Sequence, residues 1–429
     1  MTYLVVKFGG TSVGSIEHIK AAASRIAGLK SQGNKIVVVV SAMAGETNRL
    51  ADLTKVFKTK NPKAYDTVVS TGEQVTTGLM VMALQEQDIT AQSLQGWQVP
   101  LMTSSDFSKA RFEGIPVQNL KTLLDQDIIP VIPGFQGVTK EGEITTLGRG
   151  GSDVTAVVLA AALEAKACHL YKDVPGILTS DPALVENPKI LDHLGIEEMF
   201  EMSSQGAKVI HPRAIEAALV HQVNLKVLPT FDEGQGTTIA SDTESLCTKP
   251  LESQTITGIV CNTGEVRICL QNIPISPGAT ICLFDAFAKA NISLDMILQG
   301  GGVTSDSPTQ NLTFTVPESD QKETISLTKS LQKTVGFTHM DVHPRIAKVS
   351  LVGAGLRGHA NVAHILHKTL ADLGISLYGM TTTELKMSVL VSNEYATQLV
   401  SALHDNFNLT NPQQKRKEGK DATGSTLSA

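Results

Sequence analysis

Aromatic side chains are scarce in this chain of 429 residues: they make up 4 %, with a single tryptophan, so any core must be aliphatic. A basic excess is missing too. The formal net charge is −6, which argues against nucleic acid as the main partner. No apolar run approaches the roughly 18 residues needed to cross a bilayer. The chain opens on a buried-strand pattern rather than a secretory leader. Five cysteines, Cys168, Cys247, Cys261, Cys269 and Cys282, contain no C-x-x-C pair. Odd in number and set among apolar or strand-like neighbours, they read as buried free thiols of a cytoplasmic protein. No His/Cys cluster has metal-ligand spacing, so no protein-held metal is expected, and His211, His359 and His364 read as surface or packing residues. The Walker A order is also absent, which removes the ordinary P-loop reading. What remains, 41 % hydrophobic and 18 % charged residues, suits a globular protein, and the length is a soft prior for two to three domains.

Two glycine clusters stand out against that background. Residues 145–155 read Thr-Thr-Leu-Gly-Arg-Gly-Gly-Ser-Asp-Val-Thr and precede a long apolar helix pattern from Val154 to Leu163. Glycines allow positive φ and close backbone approach to a ligand. A helix N-terminus presents free N–H groups and the positive end of the helix dipole, and together these make an anion site. Arg149 adds a planar fork for a carboxylate or phosphate. The second cluster opens the chain: a strand ending in Lys7-Phe8, the turn Gly9-Gly10, the hydroxyls Thr11-Ser12, then a helix pattern from Ile16 to Leu29. Taken alone, this second cluster reads equally well as a plain strand–helix turn. Two anion cradles in one domain point to an enzyme that handles two charged ligands.

Up to about residue 230 continuous apolar strands alternate with helices. The strands are expected at Leu4–Phe8, Lys35–Ser41, Thr90–Leu94, Ile128–Pro133, Ala167–Lys172 and Leu225–Leu228. The helices are expected at Ile16–Leu29, Glu73–Gln87, Val117–Gln126, Val154–Leu163, Ile196–Met202 and Pro212–Val220. Strands apolar on both faces imply a mostly parallel open sheet sandwiched by helices, with ligands at the carboxyl ends of the strands. Polar residues 232–254 read as a linker. Beyond it lies an internal repeat: Phe287 to Leu294 matches Leu370 to Leu377, each copy preceded by a strand and a polar turn and followed by another strand. These are paired small α/β modules. The expected division is residues 1–240, residues 255–408, and a disordered polar tail at 411–429.

The set Lys7-Phe8-Gly9-Gly10-Thr11-Ser12, Val40-Ser41-Ala42-Met43, Ser70-Thr71-Gly72-Glu73, Thr145 to Asp153 and Tyr171-Lys172-Asp173-Val174-Pro175-Gly176 resembles the aspartate kinases of the amino-acid-kinase family. The likeness runs from Lys7 to about Phe407, and the repeat resembles their paired, ferredoxin-like ACT regulatory domains. The resemblance implies transfer of the ATP γ-phosphoryl to the β-carboxylate of L-aspartate, the first step toward lysine, threonine and methionine, with Mg²⁺ entering on the nucleotide. It implies Lys7 and Asp173 as catalytic residues. It puts Ser41, Thr47, Glu73, Arg149 and Asp153 around aspartate, and Lys7, Gly9, Gly10, Ser12, Lys172, Asp173, Leu178 and Lys208 around the nucleotide. In the aspartate site Glu73 is implied to hold the ammonium directly or to help orient Lys7, and two other readings stay open: Glu73 as an acid favoured by its helix dipole, and Asp153 as a helix cap. The loop Ser104–Arg111 is implied to close over aspartate, with Ser108 where relatives carry glycine. The segment Gly176 to Pro182 is implied to form the loop over the adenine.

In the repeat, the resemblance places contacts to an amino-acid effector, lysine and/or threonine, at Ser276, Gly278, Ala279, Asp295 and Gln299. Asp295 reads alternatively as a solvated strand-end acid. ACT sheets that pair side by side imply a homodimer or higher homo-oligomer. A rival from another class is a non-catalytic amino-acid sensor that kept the fold. Leu178, where relatives have an aromatic, and Ala183, where they have arginine, favour it; retention of Lys7, Glu73, Arg149 and Asp173 speaks against it.

Overall fold

The computed structural model describes residues 2–241, 256–276, 278–300 and 309–411. Cys247 and the tail from 412 onward lie outside these residues. The chain forms two compact units, Met1–Thr179 with Lys189–Ser253, and Ser180–Pro188 with Gln254–Ala429.

In the first unit the elements run β1 (Tyr3–Phe8), α1 (Ile16–Ser31), β2 (Lys35–Val40), α2 (Glu46–Thr54), α3 (Pro62–Val69), α4 (Thr71–Gln85), β3 (Ala91–Ser93), β4 (Met102–Thr103), β5 (Phe112–Gly114) and α5 (Gln118–Asp125). They continue with β6 (Ile129–Pro133), β7 (Gln136–Val138), β8 (Ile144–Thr146), α6 (Gly151–Leu163), β9 (Ala167–Lys172), β10 (His193–Gly195), α7 (Ile196–Ser204), α8 (Pro212–His221), β11 (Leu225–Pro229) and β12 (Thr237–Ala240). The main sheet has the order β10-β12-β11-β9-β1-β2-β6-β3. Its pairs are parallel except β11 with β12. The chain leaves β1 for β2 on one side and later returns to β9 on the other, so β1 lies at the topological switch point, where open sheets of this kind bind ligands.

Period two decides which face each β1 side chain serves. Leu4, Val6 and Phe8 join Ile19, Ala22, Ala23 and Ile26 of α1 and Met80 and Leu84 of α4 in one aliphatic core. Phe8 stacks on Tyr171 at 4.7 Å, a rare use of the few aromatic rings. Lys7 therefore faces the opposite side, where Asp153 of α6 meets it.

Several features of this unit differ from the sequence expectation, the short strand β10 among them. The helices α2 and α3 fill the interval between Ser41 and Ser70, where short amphipathic stretches gave no long periodic signal. A small sheet, β5-β4-β7-β8, is built from strands of two or three residues, too short to show alternation. Within the expected linker, Thr237–Ala240 is strand β12, since Thr237 and Ile239 are buried against β11.

The second unit comprises β13 (Gly258–Pro274), α9 (Ile281–Lys289), β14 (Ile297–Gly300), β15 (Thr309–Pro317), α10 (Gln321–Ser330), α11 (Gln332–Val335), β16 (His339–Val352), α12 (Ala360–Asp372), β17 (Gly379–Thr382), β18 (Lys386–Ser392) and α13 (Ala396–Asn406). The six strands form one sheet of order β14-β15-β13-β16-β18-β17. The order is symmetric about the antiparallel pair β13–β16, so the repeat seen in the sequence is a structural repeat. Each copy has its own core: Val266, Ile268, Phe287 and Phe314 in the first, Val349, Leu351, Leu366 and Leu399 in the second. Val185, from the Ser180–Pro188 excursion, is buried in the second core. Of the segment expected over the adenine, the part from Ser180 onward thus belongs to this unit.

Candidate active site

The parallel strands β1, β2 and β6 end on one side of the sheet, and a cavity of about 870 Å³ opens there. Its lining includes Lys7, Gly10, Ser41, Thr47, Glu73, Arg149 and Asp153. Lys7 sits at the end of β1 and Ser41 directly after β2. The helix α6 starts at Gly151, three residues earlier than the apolar pattern suggests, so Gly151, Ser152 and Asp153 form its first turn. Gly150 caps it with φ of 71°. A side chain at Gly150 would also collide with the imidazole of His211, whose Cβ lies 2.2 Å from the place a Cβ would take. Only glycine satisfies both constraints.

Asp153 is not a helix cap here. It is buried and shared by two lysines: its carboxylate lies 2.6 Å from the ammonium of Lys7 and 2.9 Å from that of Lys172, at the end of β9. Burial opposes its ionisation, yet Lys172 and Lys7 together hold its carboxyl well below the usual range. Burial lowers Lys7 to about 8, partly offset by Asp153. Two cations around one anion leave the cluster with a net positive charge, an unbalanced arrangement in a desolvated place.

Glu73 lies in the first turn of α4, as its dipole reading requires, but its side chain serves the cavity. One oxygen accepts the backbone N–H of Ala42 at 3.2 Å; the other is buried and has no hydrogen-bond partner among the described residues. Burial pushes its carboxyl up to about 7. A buried acceptor left open in a cavity calls for a donor from a ligand. Arg149 stands exposed in the Gly148–Gly150 turn.

Of the expected nucleotide residues, Gly9, Ser12, Lys172, Asp173, Leu178 and Lys208 do not line this cavity. Ser12 is fully buried, and its hydroxyl bonds to Tyr171 O and Thr230 Oγ1. Gly9 donates its N–H to Tyr171 O at 3.3 Å, and a Cβ there would stand 3.6 Å from Lys7 Nζ. Lys172 reaches the site through Asp153, whereas Asp173 and Lys208 are exposed and Leu178 bridges to Ile190. In the second unit, Ser276 and Gly278 are exposed, Ala279 is partly buried against its core, and Gln299 bonds to Gln310. Asp295 is paired with the buried Lys348.

The sequence reading missed several lining residues, among them Tyr65, Phe135, Thr146, His211 and Arg213. His211 was read as a surface or packing residue. It caps α8 by accepting the Arg213 N–H on Nδ1 and also lines the cavity. The His-Pro-Arg order at a helix start was the one signal available for it.

A mostly parallel sheet with glycine turns at its strand ends and a positive cluster beside an open carboxylate defines an enzyme of charged small ligands. The amino acid kinase family matches residues 2–228, and an ACT domain matches residues 349–407. An aspartate kinase of Pseudomonas fluorescens is 41 % identical over 418 residues, covering 97 % of this chain and 100 % of that protein. Escherichia coli aspartokinase III, solved with aspartate and ADP in its R-state, superposes with a TM-score of 0.77 at 26 % identity, covering 94 % of this chain and 99 % of that one. The same enzyme solved with lysine and aspartate in its T-state gives 0.71. The chain belongs to the amino acid kinase family, among its aspartate kinases with an ACT domain.

Proposed function

We propose that the chain transfers the γ-phosphoryl group of ATP to the β-carboxylate of L-aspartate, giving 4-phospho-L-aspartate and ADP. The observation that carries this reading is the buried Asp153 shared by Lys7 and Lys172, beside a cavity that also holds Glu73 and Arg149. Aspartate carries two carboxylates and an ammonium. Glu73, with one oxygen open, takes the ammonium; Arg149 takes the α-carboxylate; Ser41 and Thr47 donate to the substrate. The β-carboxylate is then left to face the phosphate. It is already ionised, so it attacks phosphorus without a base, and the bond from phosphorus to the β,γ-bridging oxygen breaks as ADP leaves. Catalysis rests on in-line positioning and on neutralising charge. Lys7 supplies charge at the transferring group, Lys172 joins it from Asp153, and the turn Gly9-Gly10 supports the phosphates, with Ser12 anchoring that turn through Tyr171 O and Thr230 Oγ1. Asp173, Leu178 and Lys208 complete the nucleotide side.

Among the described residues no group of three His, Cys, Asp or Glu could hold a metal ion, and the Asp153 carboxylate is engaged by lysines. Mg²⁺ fits as the nucleotide's own ion, held by phosphates and water, where it would neutralise phosphate charge. In the second unit, Asp295 and the turn around Ser276, Gly278 and Ala279, with Gln299, would receive an amino-acid effector; aspartokinase III has been solved with lysine. Ile297, exposed on the edge strand β14, supports pairing into a homodimer, as does Ile281, exposed at the start of α9. An aspartyl-hydroxamate assay with Mg-ATP, alone and with lysine, threonine or both, tests the reading. Aspartate-dependent hydroxamate is expected; its absence at millimolar ATP sinks the reading.

A further inference from the structure

We propose that Asp66 is a positioning residue for the aspartate side of this cavity: a buried anion that clamps the loop 104–111 to β8 and so fixes the turn bearing Arg149. Asp66 lies on α3, far from the glycine clusters in sequence, and is completely buried. Among the described residues it makes no ion pair. Its charge is instead met by four hydrogen bonds from two residues. Oδ2 accepts the backbone N–H groups of Ser108 and Thr146, each at 2.8 Å. Oδ1 accepts the hydroxyls of the same two residues at 2.9 and 2.8 Å. Hydrogen bonds to a buried charge are the strong kind, and removing the acceptor strands every donor at once.

The clamp acts where the backbone most needs it. Arg149 sits between Gly148 and Gly150, with φ of 76° and 71°, so its own turn has little stiffness. Ser108 is itself left-handed, φ 68°, a conformation unfavourable for serine and held here by Asp66. The Ser108 carbonyl lies 3.1 Å from where a Cβ on Gly148 would stand, so the loop packs directly on the Arg149 turn. Ala110 N–H donates to Thr146 O at 3.0 Å. On the other side the guanidinium of Arg213 bonds to Leu147 O at 2.5 Å and Ala110 O at 3.2 Å. An anion gathers the donors and a cation gathers the acceptors of the same two segments. Ser108, Thr146, Gly148 and Arg149 all line the cavity, while Asp66 does not.

This inference rests on reading the cavity as the aspartate site. Asp66→Asn and Asp66→Ala separate it from a merely structural role. In the asparagine variant the carbonyl oxygen keeps both backbone N–H groups, and the amide donates to the two hydroxyls, which turn to accept. Asp66→Ala is expected to raise KM for aspartate about tenfold or more, with kcat and KM for ATP within about threefold. Asp66→Asn is expected within about threefold of the native enzyme throughout. Hydrogen–deuterium exchange should quicken at 104–111 and 147–151 in Asp66→Ala alone. An unchanged KM for aspartate in Asp66→Ala, an equal rise in both KM values, or an asparagine variant as impaired as alanine overturns the proposal. Should Asp66→Ala not fold, the double variant Ser108→Gly with Thr146→Val removes both hydroxyls from Oδ1. There a rise of about threefold in KM for aspartate is expected, and no rise overturns it. A native enzyme that fails to phosphorylate aspartate defeats the reading of the cavity; unchanged exchange in Asp66→Ala defeats the clamp.

Discussion

Among the described residues each unit of this protein holds a cluster of three ions around a buried one, and the two are charge opposites. In the first, one carboxylate, Asp153, lies between two lysines, Lys7 and Lys172. In the second, one lysine, Lys348, lies between two carboxylates, Glu265 at 3.1 Å and Asp295. Burying any charge is unfavourable, and a pair balances best when its signs cancel. Neither cluster cancels. The first keeps a positive remainder at strand ends beside a cavity, which suits a phosphate. The second keeps a negative remainder, with Asp295 the exposed member, which suits an ammonium. The sign left over distinguishes the two sites better than the residue types, since both are built from lysines and carboxylates.

The contrast can be broken most severely in the first cluster, at the residue proposed to meet the transferring phosphate. Lys7→Ala should lower kcat by about a thousandfold or more while changing aspartate binding modestly, as steady-state kinetics would reveal. Near-normal turnover removes Lys7 from the reaction.

Stability offers the next test. Asp153→Asn leaves two lysines buried together, and Lys348→Met leaves Glu265 buried without its cation. Each should cost about 3–5 kcal/mol in urea unfolding. Added inorganic phosphate should restore stability to Asp153→Asn and not to Lys348→Met. Equal rescue of both, or of neither, denies that the leftover charge selects the ligand.

The pH dependence sharpens the comparison further. In the proposed reaction Glu73, raised to about 7, must be ionised to hold the ammonium of aspartate. Lys7, lowered to about 8, must be protonated to meet phosphate. The profile of kcat/KM for aspartate should therefore be bell-shaped, falling below about 7 and above about 8. Because the raised carboxyl of Glu73 binds its proton more tightly folded than unfolded, its effect on folding runs the other way: stability falls as pH rises from 4.5 to about 7. Glu73→Gln should remove that loss while weakening aspartate binding. A flat profile between pH 6 and 9 would count against both assignments.

The smallest effect is expected in the second cluster. Asp295→Asn should raise the effector concentration for half-inhibition about tenfold, with kcat unchanged. Full retained inhibition moves the effector site elsewhere.

The legible parts of this molecule were those with a repeating or local signature. Continuous apolar strands between helices announced the parallel sheet, and the matching Phe287–Leu294 and Leu370–Leu377 announced the symmetric second unit. Lys7, Arg149 and Asp153 were legible because glycine clusters surround them. Thr237–Ala240 was not, because its burial depends on β11 lying beside it. Asp66 was not either, since an acid within a short helix looks like a solvated face until Ser108 and Thr146 are brought to it.

The order of apolar and polar residues by itself determined the strands, the long helices and the glycine turns, because period, φ preference and helix polarity act over a few residues. Only the tertiary structure decided which charges share a carboxylate, which oxygen of Glu73 is left open, and which loop and strand Asp66 joins. Those depend on burial and on distances of about 3 Å between residues far apart in the chain, and desolvation takes effect only once the fold has removed the water.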